Sequence, residues 1–268
     1  MSDEIAAHNS VAWDLEVEHG NPATTPVADE LIERARSGDL QISLTGNRLL
    51  PSAWLDGIRD ANVLCLALGG GQQVPLLSAA GARVTALENS ARQSLRDHEV
   101  ATRHGLELSL QRGDFRDLRR FGRSSFARAF VGMGLQFVPD PEKVWSELAR
   151  VLEPGGHLIA ALVNPVQYIF DFEAYSTGVL SVAHALPYSD LESLDPEHRA
   201  SAIGLDEPIE FGHTLEQLLG SLTEAGFAIT GFLEDRKNGD LLASYMPTYF
   251  VLRADLRMSQ PDLRPKAT

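Results

Sequence analysis

The chain is predicted to be an α/β protein, a doubly wound sheet of mostly parallel strands finished by an antiparallel pair. Three observations predict it. From Asn62 onward, short apolar runs alternate with stretches of helical periodicity, the pattern of parallel strands joined by crossover helices. The first run, Val63–Leu68, is almost unbroken in its apolarity, as a strand covered on both faces must be, and it ends in three glycines. The last two runs, Phe227–Leu233 and Tyr249–Arg253, follow one another with too little chain for a crossover helix and suit antiparallel pairing.

The elements follow in order. Residues 1–57 read as an N-terminal helical segment, with helices over Glu4–Val17 and Val27–Ser37 separated by the Gly20-Asn21-Pro22 break. Residues 58–163 form the core, with strands at Val63–Leu68, Arg83–Glu88, Leu106–Gln111, Phe126–Gly132 and His157–Val163. The clearest helix lies between the last two of these. Asp140 is its expected N-cap and Pro141 its first residue, where a missing N–H costs nothing; Val144, Leu148, Val151 and Leu152 form one apolar face, and Pro154-Gly155-Gly156 ends it. Residues 164–213, irregular and rich in aromatics, histidines and prolines, are too long for a simple loop and read as a cap inserted over the carboxyl ends of the strands. Residues 214–257 return a helix, Leu215–Ala225, and the two terminal strands, which brings the sheet to seven; 258–268 read as a mobile tail.

Composition narrows the partners. With 23 basic against 37 acidic residues, the net charge of −14 repels phosphate backbones and anionic lipid, so neither nucleic acid nor membrane is an expected partner. The six arginines between Arg112 and Arg128 read as a solvated face. One cysteine, Cys65, excludes an internal disulfide, and the histidines show no H-x-x-x-H or H-x-H spacing, so no metal site is expected. No stretch is long and apolar enough to span a bilayer, and a cytoplasmic location is expected.

In an open parallel sheet the ligand crevice lies outside the strand carboxyl ends, and the turn after the first strand is where to look. Here it holds Gly69, Gly70 and Gly71. Glycines let the backbone approach a ligand closely, and the following helix aims free N–H groups at it. Glu88, ending the second strand, is the matching acid for ribose hydroxyls. Two cofactor classes use this arrangement, dinucleotides and S-adenosylmethionine (SAM). The dinucleotide fingerprint G-x-G-x-x-G needs a third glycine at 74, where the chain has Val74 followed by Pro75.

At these residues the chain resembles the class I SAM-dependent methyltransferases. The resemblance is carried by Val63-Leu64-Cys65-Leu66-Ala67-Leu68-Gly69-Gly70-Gly71, by Glu88 after Val84-Thr85-Ala86-Leu87, by Arg112-Gly113-Asp114-Phe115, and by Trp145 through Gly156. It spans Asn62–Val163 strongly and the rest more loosely; Gly69 through Gln73, Asn164-Pro165 and Tyr245 through Tyr249 are similar to a bacterial branch of that family. It implies a Rossmann-like sheet with SAM as cofactor. Gly69 and Gly71 would line the methionine end and Glu88 would hold the ribose. Asp114 would accept from the adenine amino group, with Phe115 beside the ring. Ala67, Gly70 and Gly132 complete the implied cofactor set. Cys65 stands where the family usually has an acid, and Ala67 where it usually has glycine. Val131 through Gln136 carries no Asn-Pro-Pro-Tyr or Asp-Pro-Pro-Tyr motif of the nucleic-acid amino methyltransferases, which implies a small organic acceptor.

The reaction itself asks mainly for placement, since in-line approach with water excluded supplies roughly 7–11 kcal/mol in well-oriented systems. Where the acceptor must also lose a proton, His213 is the expected base or acceptor-orienting group, with His184 and Tyr188 lining the pocket; Asp190, Tyr168 and Asp171 are further candidates. Trp13, near His8 and Asn9, either closes over the cofactor or anchors its own helix. Two other functions stand beside methyl transfer: an NAD-type oxidoreductase on the same fold, and a SAM-binding protein without transfer activity.

Overall fold

The computed structural model describes residues 2–196, 199 and 207–258. A seven-stranded sheet organises it, in the order β3-β2-β1-β4-β5-β9-β8. The parallel strands are β1 (Asn62–Leu66), β2 (Arg83–Glu88), β3 (Leu108–Arg112), β4 (Phe126–Val131) and β5 (Leu152–Val163). The chain reverses from β1 outward to β3, then crosses to β4 on the other side of β1. That switch point puts a crevice between the carboxyl ends of β1 and β4. The antiparallel pair β8 (Phe227–Asp235) and β9 (Tyr249–Leu256) completes the sheet, with β9 inserted against β5. The doubly wound sheet and its terminal pair are those expected.

Alternation along β1 divides the core. Val63 and Cys65 face one layer, made of α2 (Asp29–Arg36), α3 (Gln73–Ala79) and α4 (Ala91–His104); Leu64 and Leu66 face the other, made chiefly of α5 (Pro141–Val151). Serine caps α4: the Ser90 hydroxyl accepts from the Gln93 amide at 3.1 Å, and Gly105 ends the helix at φ 61. In α5, Val144, Leu148 and Val151 are buried as their spacing predicts, together with Trp145, whose indole N–H donates to the Leu218 carbonyl at 3.0 Å.

Local corrections follow from tertiary demands. Asp140 occupies the N-cap position of α5, but its carboxylate takes Lys143 at 2.7 Å instead of a helix amide. The helix stops at Val151, because Leu152 turns extended and opens β5, with a register shift against β4 before His157. The helix expected at Leu215–Ala225 begins as a π-helical turn, Glu216–Gly220, and becomes α-helical only at α7 (Ser221–Glu224). Its start is a reciprocal cap, Thr214 and Gln217 each bonding the other's backbone amide at 2.9 and 3.1 Å. The arginines of 112–128 are not an evenly solvated face: Arg116 is buried against Asp114, and Arg128 reaches the Asp56 carbonyl. The expected tail from Ser259 to Thr268 lies outside the described residues.

Two further pieces lie near the strand carboxyl ends. Helix α1 (Ser2–Glu18) packs on the β2–α4 junction, where Asp14 accepts from the Ser90 hydroxyl at 2.6 Å and the Arg92 amide at 2.9 Å. The 164–213 segment contributes α6 (Phe172–Ser176) and a small antiparallel ladder of β6 (Tyr188–Ser189) with β7 (Phe211–Gly212). Asn9 joins the two pieces: its amide donates to Phe137 at 3.2 Å and Ile209 at 3.1 Å, and its oxygen accepts from the Ile209 amide at 2.8 Å.

Candidate active site

The glycine turn after β1 is held by two acids. Gly69 N–H donates to Glu88 at 3.1 Å, and Gly71 N–H donates to Asp97 at 2.8 Å, while Gly70 N–H takes the Gln93 carbonyl at 3.1 Å. Gly70 and Gly71 sit at φ 107 and 78, backbone that a side chain would strain, and a Cβ on Gly70 would stand 3.1 Å from the Thr24 backbone. Ala67 shares this left-handed region at φ 50 without being glycine.

Glu88 ends β2 beneath the turn, 7% exposed, and its other oxygen accepts the Asn89 and Ser90 amides at 2.8 and 3.2 Å. Burial outweighs those bonds and pushes its carboxyl above the usual range. Asp97, fully buried on α4, is pushed up further by the same cause. Burial, with Asp97 nearby, also raises the Cys65 thiol, so it is an inert apolar group on β1. Next in the row, Gly113 N–H donates to the Glu88 carbonyl at 3.2 Å, and Asp114 follows, gripped by the Arg116 Nε at 2.9 Å. Phe115 lies buried under Gly134, whose Cβ would meet its ring at 3.4 Å. Gly132 closes the crevice from β4, donating to the Leu66 carbonyl at 2.9 Å. Trp13 meets Phe137 edge-on, ring centroids 5.4 Å apart, so α1 reaches over the β4 side.

The candidate acceptor residues separate into two groups. His213 is 5% exposed with Nε2 at 3.0 Å from the Leu135 carbonyl, an acceptor, so Nε2 carries a proton; burial lowers its pKa, opposed by backbone hydrogen bonds to Leu135 and Val138. His184 and Tyr188 lie together, centroids 5.1 Å apart, and Tyr188 stacks on Tyr168 at 5.6 Å. Tyr168 donates to Glu210 at 2.7 Å, Tyr188 donates to Asp190 at 2.7 Å, and the Glu210 amide donates to Asp190 at 2.6 Å. Tyr168 and His213 share a narrow cavity with Gln136, Phe211 and Leu135, beyond β4 and β5. Asp171 stands apart from this cluster and caps α6, accepting from the Ala174 amide at 2.7 Å.

Asp97 and Glu210 went unread in the sequence. A signal for the first exists: Gln93, Asp97, Val100 and Ala101 recur at helical spacing, so an acid stands in the inward stripe of α4. Glu210 has no such signal, because its partners come from 20 and 42 residues away.

The row fits SAM better than a dinucleotide. Both side chains that bind the turn amides are acids, which suits a cationic sulfonium and ammonium and opposes a pyrophosphate. Residues 64–160 match the family model described as a methyltransferase domain. An uncharacterized methyltransferase, YbaJ, of Bacillus subtilis (strain 168) is 43% identical over 93% of this chain and 98% of its own.

The chain belongs to the methyltransferase family.

A ubiquinone biosynthesis O-methyltransferase of Xanthomonas oryzae pv. oryzae (strain PXO99A) is 33% identical over 51% of this chain and 56% of its own. In fold, this methyltransferase is similar to a SAM-dependent methyltransferase of Mesorhizobium loti, at a TM-score of 0.56 and 19% identity, over 76% of this chain and 94% of that one. Neither the oxidoreductase reading nor the reading as a non-catalytic binder is supported. Among the described residues no helix is long and apolar enough to cross a membrane, and no group of three or more His, Cys, Asp or Glu is placed to hold a metal ion.

Proposed function

We propose that this methyltransferase transfers the methyl group to a small organic acceptor held beneath the 164–213 segment, by in-line displacement. The observation that carries the reading is the placing, at the carboxyl ends of the strands, of an acid-clamped glycine turn after β1 and, beyond β4 and β5, of an aromatic cluster of Tyr168, Tyr188 and His184. SAM supplies an already electrophilic methyl group.

The chain's own residues supply placement. Gly69, Gly70, Gly71 and Ala67 shape the turn for the amino-acid end, with Gly132 behind it; Glu88 takes the ribose hydroxyls; Asp114 takes the adenine amino group over Phe115. On the acceptor side Tyr188 and His184 line the pocket with Tyr168. His213, with Nε2–H committed to Leu135, anchors the loop after β4 and is the group we assign to orient the acceptor or take its proton. Asn9 and Trp13 tie α1 to that same loop and exclude water. The single buried cysteine suits a reducing compartment, and we assign the protein to the cytoplasm.

S-adenosylhomocysteine at about a hundred times its dissociation constant is expected to stabilise the fold by roughly 2.7 kcal/mol, seen as a raised melting temperature, and NAD by nothing. Incubation with methyl-labelled SAM and a cell extract split into small-molecule, protein and nucleic-acid fractions tests the acceptor. Label in the small-molecule fraction supports the reading; label confined to a macromolecular fraction rejects it.

A further inference from the structure

The Asp97 carboxyl is fully enclosed yet only half employed. Oδ1 accepts the Gly71 amide at 2.8 Å, and Oδ2 has no hydrogen-bond partner. Buried polar atoms are nearly always paired, so an oxygen left over asks for a reason beyond packing. Its surroundings supply none: Cys65 faces it from β1 with an inert thiol, and Glu88 lies within its field from β2 with a second acid. A leucine or asparagine at this place in the inward stripe of α4 would spare the protein a buried carboxyl beside another.

We propose that Asp97 is a positioning residue for the amino-acid end of SAM, setting the glycine turn from α4 through Gly71 where β1 offers only Cys65. The inference rests on the assignment of that turn to the cofactor's amino-acid end. The turn is clamped at both ends, by Glu88 on Gly69 and by Asp97 on Gly71, with Gln93 holding Gly70 between them. Glu88 stands at the ribose end. That leaves Asp97 with the end bearing the cofactor's ammonium group, where the incoming cation favours the ionised carboxyl that burial opposes in the unliganded protein, and the ionised acceptor then holds the Gly71 amide more firmly than a neutral one. One carboxylate thus sets both the shape and the potential of that end of the slot.

The test compares two ligands by calorimetry. S-adenosylhomocysteine carries the amino-acid chain; methylthioadenosine has the nucleoside and thioether without it. Asp97→Asn keeps an oxygen for Gly71 and removes the charge. It is expected to weaken S-adenosylhomocysteine by about tenfold or more while methylthioadenosine stays within about twofold, and the unliganded melting temperature does not fall. Cys65→Asp added to Asp97→Asn is expected to recover most of the lost affinity. Unchanged binding of S-adenosylhomocysteine would overturn the proposal, and so would equal loss of both ligands, the mark of a generally disturbed turn. Should Asp97→Asn fail to fold, Asp97→Ser decides by the same ratio of losses. Wild-type protein that binds methylthioadenosine no more weakly than S-adenosylhomocysteine would reject the underlying assignment of the turn instead.

Discussion

Replacing Gly132 by alanine is expected to cost about 3 kcal/mol or more of folding stability. A Cβ there would lie 2.0 Å from the Ala67 carbonyl oxygen and 2.9 Å from Leu68 Cδ2. The first obstacle is backbone, and it belongs to the crossover from β1, so relief requires β4 to part from β1 at the place where Gly132 N–H bonds Leu66. Gly134 offers a control two residues away. Its Cβ would meet the Ala67 methyl at 2.5 Å and then only the Phe115 ring at 3.4 Å, so the obstacle there is one removable carbon. Ala67→Gly should therefore rescue Gly134→Ala and leave Gly132→Ala as damaged as before. Urea denaturation of the three single and two double variants measures both coupling energies; equal rescue of the two glycine sites would show that the crevice yields as a unit.

The same crevice shows what could be read from residue order and what could not. Strands β1, β2 and β4 were legible because a strand covered on both faces has no polar face to hide, and Val63 through Leu66 is that kind of run. Glu88 was legible because strand end and acid coincide. Boundaries set by partners were not: β5 starts at Leu152 because β4 pairs with it there, across the Pro154-Gly155-Gly156 stretch that local rules read as a stop. The π-helical turn at Glu216–Gly220 carries no local mark of its extra residue; its Leu218 carbonyl meets the indole of Trp145, 73 residues earlier. Candidate site residues divide the same way. Those on the strand ends announce themselves by position, whereas Asp97 and Glu210 acquire their character from burial beside groups distant in the chain.

Glu210→Gln is expected to remove a pH dependence of stability that the wild-type 164–213 segment carries between about pH 5 and 8. Burial pushes the Glu210 carboxyl from an ordinary 4.5 to about 7, with the Tyr168 hydroxyl and Lys237 opposing the shift and Asp190 and Glu207 adding to it. A folded-state value raised above the unfolded one means the proton is held more tightly in the folded protein. Its contribution is complete below the unfolded value near 4.5 and is lost as pH rises through about 7. At about 1.4 kcal/mol for each tenfold in proton affinity, the ceiling is about 3 kcal/mol, reduced by solvent at the partly exposed rim of the cluster. The consequence falls on the proposed acceptor side, because the Tyr168–Glu210 bond ties the Pro165–Ile169 turn to the chain entering β7, and the Glu210–Asp190 bond ties that chain to the end of β6. Glutamine keeps an acceptor for the Tyr168 hydroxyl but cannot ionise, so the variant should match wild type near pH 5 and exceed it near pH 8, as burial of the charge no longer opposes folding. Glu88 and Asp97 slope in the same direction, being raised by burial as well, so the difference between wild type and variant isolates Glu210. Urea unfolding at pH 5 and pH 8 reads that difference, and parallel losses in the two proteins would mean that Glu210 keeps its charge throughout.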